Sequence, residues 1–434
     1  MAGLHSYDDG ERQSRTPEKY RLLRHFRGRS LASKTAGMGE FRRSMDRPRN
    51  FRLYFASAVL ALGALIVLLR EHRPSFLRPD LHLCAYVTTA DGSVAVVDLV
   101  KLKTVARIPV GPAPSGIREH PTRPEILGLS SEGGYVWIFD ARTYQVSARI
   151  PVGPLPYALD FSPDGERLYT TTSGNDTVIA IDIHSRAIVS RGRTGREPVL
   201  AKATPDGKSL LVVNRREGSL SIHDAATLAM RSRVPVVSQP DDLAVSPDSS
   251  LAFVMSRSEP RLSVVDLKRS VLVTNLELAG KPTDLLLKPD GGELYVISPE
   301  AHGLQAINTW THEVGDTMVL GSAPTRGILS ADASLLYVSD AAADRVTPVD
   351  IANRRIIRDP GKGFPIFGKP LPAVDEPGAL RFDPNETLLL VVSQGSGDLA
   401  VIRVVTNFLV TMIPVGQRPQ ELAVKLYGNK EETK

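Results

Sequence analysis

Cysteine is almost missing from this chain: Cys84 is the only one in 434 residues. That excludes a disulfide framework, a Cys-rich zinc module and a C-x-x-C-H haem attachment site. Aromatic residues are sparse at 6%, and neither of the two tryptophans, Trp137 and Trp310, is followed by aspartate. The Trp-Asp signature of one common class of sequence repeats is therefore absent. The nine histidines contain no His-x-His or His-Glu-x-x-His spacing, so no metal site can be read from them. Nucleophile-elbow, P-loop and dinucleotide fingerprints are missing too. A Ser-His-Asp set drawn from distant residues stays open, because such triads assemble in space rather than in sequence.

The charge of one sign that the pI of 9.2 suggests is also missing from most of the chain. Residues 1–52 hold 13 Lys/Arg against 6 Asp/Glu, which leaves 40 basic and 42 acidic residues in the remainder. The basicity belongs to the tail, and the slightly acidic body argues against nucleic-acid binding.

What is present begins with one apolar run. Residues 53–69, LYFASAVLALGALIVLL, carry no charge and as a helix would span roughly 25 Å, the short end of a bilayer core. A buried core helix would show a polar stripe, and a cleaved signal would have a shorter leader and a small-x-small site. The reading is a transmembrane helix over 53–70, after a basic tail of residues 1–52 and before a linker of residues 71–83. Lys34, Arg42, Arg43, Arg47, Arg49 and Arg52 precede it, while Arg70, Arg73 and Arg78 follow. This bias puts the N-terminus in the cytoplasm of a bacterial cell and the body in the periplasm or outside. Within the tail, Thr16-Pro17-Glu18 opens a candidate helix with Tyr20, Leu23 and Phe26 on one face and Arg21, Arg24 and Arg27 around it. This segment is either a basic helix on lipid or a membrane partner, or a solvated tail.

From residue 84 to 427 the chain repeats. Pro114, Pro156, Pro198, Pro240, Pro282 and Pro324 recur every 42 residues, followed by Pro377 and Pro419. A second column reads Asp98, Asp140, Asp182, Asp224, Asp266, Asn308, Asp350 and Arg403. Each period holds four short strand patterns. Between the first and second strands lie turns such as Ser162-Pro163-Asp164-Gly165, Thr204-Pro205-Asp206-Gly207 and Lys288-Pro289-Asp290-Gly291, in which proline presets φ and glycine closes the turn. Four strands in about 42 residues is the signature of a β-propeller blade.

The segments VGPLPYALDFSPDGERLYTTTSGNDTVIAIDI (152–183) and AGKPTDLLLKPDGGELYVIS (279–298) resemble the YVTN-repeat family of extracytoplasmic β-propellers. The predicted fold is thus all-β, a propeller of four-stranded blades after one transmembrane helix, with a short C-terminal tail at 428–434. The columns count eight blades, whereas the resemblance favours seven. The chain enters at Cys84–Thr88 as a second strand and leaves through Glu421–Leu426 as a first strand, so its two ends are expected to complete one blade. Eleven extra residues fall around 358–376, a Gly/Pro-rich loop bearing Phe364, Ile366 and Phe367. This loop is either a partner-binding feature or a tolerated insertion.

The aspartate column is not a metal set, since its members stand blades apart. Each is expected to accept hydrogen bonds from the turn that follows it. His184 and His223 read as solvated strand-end residues, and His120 as a surface residue replacing the usual Ser, Thr or Lys of the first turn. First strands line the channel of a propeller, so their unusual residues matter most. Four positions after the prolines, where the repeat expects a small residue, stand Arg118, Asp160, Lys202 and Arg381, alongside Ala244, Leu286, Ile328 and Ala423. Two positions after the prolines stand Asp242, Asp284, Arg326 and Glu421. These charges form either a ligand funnel or a salt-bridged plug. A haem-carrying propeller would need an axial histidine near the axis, and only His120 approaches that register. The expected role is a membrane-anchored binding or scaffold subunit with protein partners in a membrane complex, lacking a metal or cofactor. The alternative is an enzyme of the lactonase or quinone-dependent dehydrogenase type acting in the channel.

Overall fold

A computed structural model of the chain describes residues 81–357 and 374–428. The apolar run, the basic tail and Phe364, Ile366 and Phe367 lie outside the described residues. Among the described residues no helix is long and apolar enough to cross a membrane.

Among the described residues, thirty-two strands form eight four-stranded antiparallel sheets, the blades of a propeller. In blade II the strands are Pro114–Glu119, Glu125–Ser130, Tyr135–Asp140 and Val146–Pro151. Blades III to VIII begin with inner strands Pro156–Phe161, Pro198–Ala203, Pro240–Val245, Asp284–Leu287, Pro324–Leu329 and Pro377–Phe382. Blade I is made from both ends of the described chain. Strand β1, Leu81–Thr89, pairs on one side with β2, Ser93–Asp98, and on the other with the last strand, Pro419–Gly428. The register runs from Leu81↔Gly428 to Thr89↔Pro419. Each of these edges would otherwise be an open ladder of donors and acceptors, and their pairing closes the ring. The repeat count of eight is correct, and seven is not.

Burial follows strand position. Middle strands such as Arg167–Thr172 and Thr177–Asp182 pack against neighbouring blades on both faces and are buried along almost their whole length. The outermost strand Ala187–Arg193 alternates exposed and half-buried residues, because the blade curls its edge into solvent. In the first turns, Gly165, Gly207 and Gly291 sit at φ +75°, +69° and +75° and donate back to Ser162, Thr204 and Lys288 carbonyls at 2.8–2.9 Å.

The aspartate column does what turn chemistry demands. Asp140 Oδ1 accepts from Arg142 N at 2.7 Å and Thr143 N at 2.8 Å. Asp224 accepts from Ala226 N and Thr227 N, and Asn308 from Trp310 N and Thr311 N. Among the described residues no group of acids, histidines and cysteine is arranged to hold a metal. Replacing Asp140 with Ala is expected to lower unfolding free energy by about 1 kcal/mol, measured by denaturant titration, with Asp140→Asn losing less because its amide oxygen still accepts.

One cross-strand pair breaks the repeat. The position of Gly128 is Val, or Thr170, in the other seven blades, and its partner is Ala95, Ile179, Ser221, Ser263, Gln305, Thr347 or Ala400. In blade II the partner is Trp137. Its ring is fully buried, stacks on Phe139 at 5.6 Å, and donates Nε1–H to Leu129 O at 2.9 Å. Glycine gives up its side-chain volume so that the indole can lie across it.

Candidate functional site

Along each inner strand, residues such as Ile117, Leu159, Ala201, Leu243 and Leu422 are buried in the apolar packing between blades. By the two-residue period of a strand, the positions on either side turn toward the next blade, where Ala244, Leu286, Ile328 and Ala423 join the following apolar cluster. An inner strand has a ladder partner on one edge only. Its other edge presents N–H and C=O groups to the channel, and these need partners.

Several of the predicted channel charges serve that need. Asp160 Oδ2 accepts from Ala203 N of the next blade at 3.0 Å, and Asp284 Oδ2 accepts from Gly327 N of the next blade at 2.8 Å. Lys202 Nζ reaches Leu243 O, again one blade on, at 3.5 Å. Burial raises the pKa of Asp160, against the pull of Ala203 N, Lys202 and Arg118. Asp284 is pushed up to about 6 by burial, with Asp242 adding to the shift, while Arg326 at 3.9 Å and the Gly327 amide oppose it.

The ring order puts Arg381, Ala423, Arg118, Asp160 and Lys202 on one arc of the lower layer. Asp242, Asp284 and Arg326 lie on the opposite arc of the upper layer, two residues nearer the start of each strand. Arg118 Nη1 donates to Ile117 O at 2.8 Å. Burial pulls the pKa of Arg381 below its usual value, and Arg118 adds repulsion that Glu119 and Glu421 only partly offset. Asp242 Oδ1 accepts from Leu243 N at 2.8 Å, and the Glu421 backbone exchanges hydrogen bonds with Thr88 Oγ1. The set is brought together as neighbouring pairs around a ring and does not converge on one point.

Two histidine readings are corrected. His223 is fully buried, with Nδ1 3.1 Å from Leu228 O and Nε2 3.1 Å from Ser221 Oγ. His120 is also buried, its Nδ1 accepting from Thr122 N at 3.1 Å and Arg123 N at 3.0 Å. It therefore plays the part of the turn-capping side chain it replaces. Its ring meets Phe161 edge-on, and burial, with Arg123 and Lys425 nearby, pulls its pKa down to about 4.

Sequence reasoning missed a second feature, on the face where blades cross to the next inner strand. The Arg215 guanidinium lies 5.4 Å over the Tyr157 ring and donates to Tyr157 OH at 3.3 Å and to Asp241 Oδ1 at 2.7–2.9 Å. Asp241 Oδ2 accepts from Arg257 N. Blades III, IV and V are thereby joined at the channel mouth. Beside this junction is a cavity of about 570 Å³ lined by Glu197, Arg215, Arg216, Glu217, Ser238 and Gln239, among others. Leu155 and Tyr157 stand exposed on the same rim, at 56% and 48%. Signals for it existed in sequence, since Tyr157 is the only aromatic residue to follow a column proline.

No family model matches the chain, and no curated protein matches it. Among solved structures it is similar to Kuenenia stuttgartiensis hydrazine synthase, at 18% identity and a TM-score of 0.53, over 68% of this chain and 96% of that one. It is similar to the dihydro-heme d1 dehydrogenase NirN in complex with DHE, at 18% identity and a TM-score of 0.65, over 82% and 77%. A functionally unknown protein from Desulfotomaculum acetoxidans matches at 14% identity and a TM-score of 0.52, over 73% and 100%. At such identities the likeness establishes the propeller fold.

Proposed function

We propose that the chain is a membrane-anchored, extracytoplasmic propeller of YVTN-repeat type acting as a binding or scaffold subunit of a membrane complex. The observation that carries this reading is the Tyr157–Arg215–Asp241 junction. An aromatic and an arginine, the residue types that dominate interface energetics, are held rigid across three blades, with exposed Leu155 and a polar cavity beside them. The apolar run at 53–69 supports a tether, and the flanking arginines support this orientation.

The test is purification of the full chain from native membranes in mild detergent, compared with a Leu155→Asp, Tyr157→Ala variant. The expected result is stoichiometric membrane subunits with the parent chain and their loss from the variant, with unfolding temperature preserved. A parent chain that purifies alone, or subunits retained by the variant, would sink the reading.

A second reading, an enzyme, is favoured by Asp284, whose carboxyl at about 6 is poised for proton transfer at the channel wall. His120, the described histidine nearest the register an axial haem ligand would need, does not present a free ring nitrogen to the channel. The Nδ1 of His120 is occupied, and its Nε2 is enclosed with no polar partner.

A further inference from the structure

In each blade the turn between the third and fourth strands follows the aspartate column, and its second residue differs around the ring. Blades VI, VII, VIII and I carry Trp310, Ala352, Val405 and Val100 there, whereas blades II to V carry Arg142, His184, Ala226 and Lys268. Ring order thus divides one position into an apolar arc and a mostly polar one. Trp310 is 76% exposed, Val405 86% and Val100 46%, and such exposure at matching positions of neighbouring blades marks a contact surface. The turn presenting the indole is fixed, since Asn308 Oδ1 accepts from Trp310 N at 2.9 Å and Thr311 N at 3.0 Å. The chain enters the ring on this same face. Strand β1 starts at Leu81, its Cys84 pairs with Asp98 at the head of the Val100 turn, and Leu99 N donates to Leu83 O at 3.0 Å. In sequence only residues 70–80 separate Leu81 from the apolar run at 53–69, and a stretch of that length reaches about 40 Å at most. Reaching the opposite face would take up roughly 20 Å of it, the length of a strand such as Ser93–Asp98. The entry face is therefore the one the tether brings to the bilayer.

We propose that the arc on blades VI to I rests on the lipid surface, with Trp310, Val405 and Val100 at the depth of the headgroups. The proposal rests on the anchored reading above and adds an orientation to it: the entry face toward lipid and the Tyr157 rim away from it. Tryptophan favours that depth because its ring is apolar and its N–H polar. Exposed cations stand in the same arc, Lys101 beside Val100 and Arg354 and Arg355 on blade VII, each in a surface pair with an acid. Such pairs are weak enough for the cation to turn to a lipid phosphate. Nearer the axis, the first turns of blades III to VII each carry an aspartate, from Asp164 to Asp332. These keep the middle of the face in water, so the contact is made by the rim.

The experiment uses the chain's two tryptophans, of which Trp137 is fully buried. The full chain is reconstituted into phosphatidylcholine vesicles with or without bromine on the upper acyl carbons, washed at alkaline pH and floated. The emission that Trp310→Phe lacks reports Trp310. Brominated lipid should abolish most of that share in the parent and leave the emission of Trp310→Phe unchanged. Val405→Asp, a change at an exposed turn, should leave the unfolding temperature where it was and remove most of the quenching. Trp310 emission that brominated lipid does not quench, in vesicles that retain the chain, overturns the proposal and leaves the tether standing. Trp310 shielded from aqueous iodide but not quenched by brominated lipid overturns it too, and gives the arc to a protein surface. Quenching unaltered by Val405→Asp, or equally strong in Trp310→Phe, overturns it as well. A chain washed off the vesicles sinks the tether and this orientation together.

Discussion

Asp284→Asn should make the protein more stable at pH 8 and leave it nearly unchanged at pH 4. The carboxyl is buried at the channel wall beside Asp242, and its pKa in the folded chain is raised to about 6, whereas in the unfolded chain it is near 3.8. Between these values the folded state holds a proton that the unfolded state releases. The stability this group contributes is therefore fully present below about pH 4 and is lost as pH rises through about 6. Over that window the loss is on the order of 2–3 kcal/mol. The amide of Asn keeps an oxygen for the Gly327 N–H and has no charge to desolvate, so it recovers most of this amount. The attraction forgone is small, because Arg326 is half-exposed and 3.9 Å away. Denaturant titrations of both proteins at pH 4, 6 and 8 measure it. A variant less stable than the parent at pH 8 would mean that the Asp284–Arg326 pair outweighs the cost of burial.

Gly128→Ala should be among the most damaging single-methyl additions in the chain. A Cβ built there would lie 2.0 Å from Trp137 Cζ2 and 2.4 Å from Cη2, far inside van der Waals contact. The indole cannot retreat, being stacked on Phe139 and tied to Leu129 O. A loss of about 3 kcal/mol or more is expected, the upper range for overpacking. Trp137→Val alone should cost about 3–5 kcal/mol by leaving a cavity. Together the two should cost clearly less than their sum, since an alanine facing a valine across this pair approaches the Val87–Ala95 and Val391–Ala400 pairs of other blades. A double-mutant cycle by urea unfolding decides this, and strict additivity would show that the two residues do not share the space.

These pairs show how far the sequence could be read. The proline and aspartate columns set blade length, blade count and the closing strand, because a repeat reports strand spacing independently of which residues fill the strands. The same columns held a signal that motif inspection passed over. His223 falls in a column reading Val97, Phe139, Ile181, Val265, Ile307, Val349 and Ile402, all buried in the structure, so its burial was legible by register. His120 likewise falls in a column of turn-capping residues that includes Ser162, Thr204 and Ser246. What no column could give is the partner of each channel charge. Asp160 and Asp284 reach amides one blade on, a distance of 43 residues along the chain, and only the curvature of the ring brings them together. The Arg215–Tyr157–Asp241 junction was hidden for the same reason.

The way blade I is assembled also sets how the ring bears load. Strand β1 is an interior strand, with β2 on one side and the last strand on the other. A pull on the chain ahead of Leu81 therefore acts along two hydrogen-bond ladders at once, whereas a terminal strand at a blade's edge would peel one bond at a time. Tension from that direction loads the seam of the ring in shear, the geometry in which many ladder bonds must fail together. A molecule held by its N-terminal side would then resist force at the very place where its ring is joined, and lengthening or trimming Pro419–Gly428 would tune that resistance.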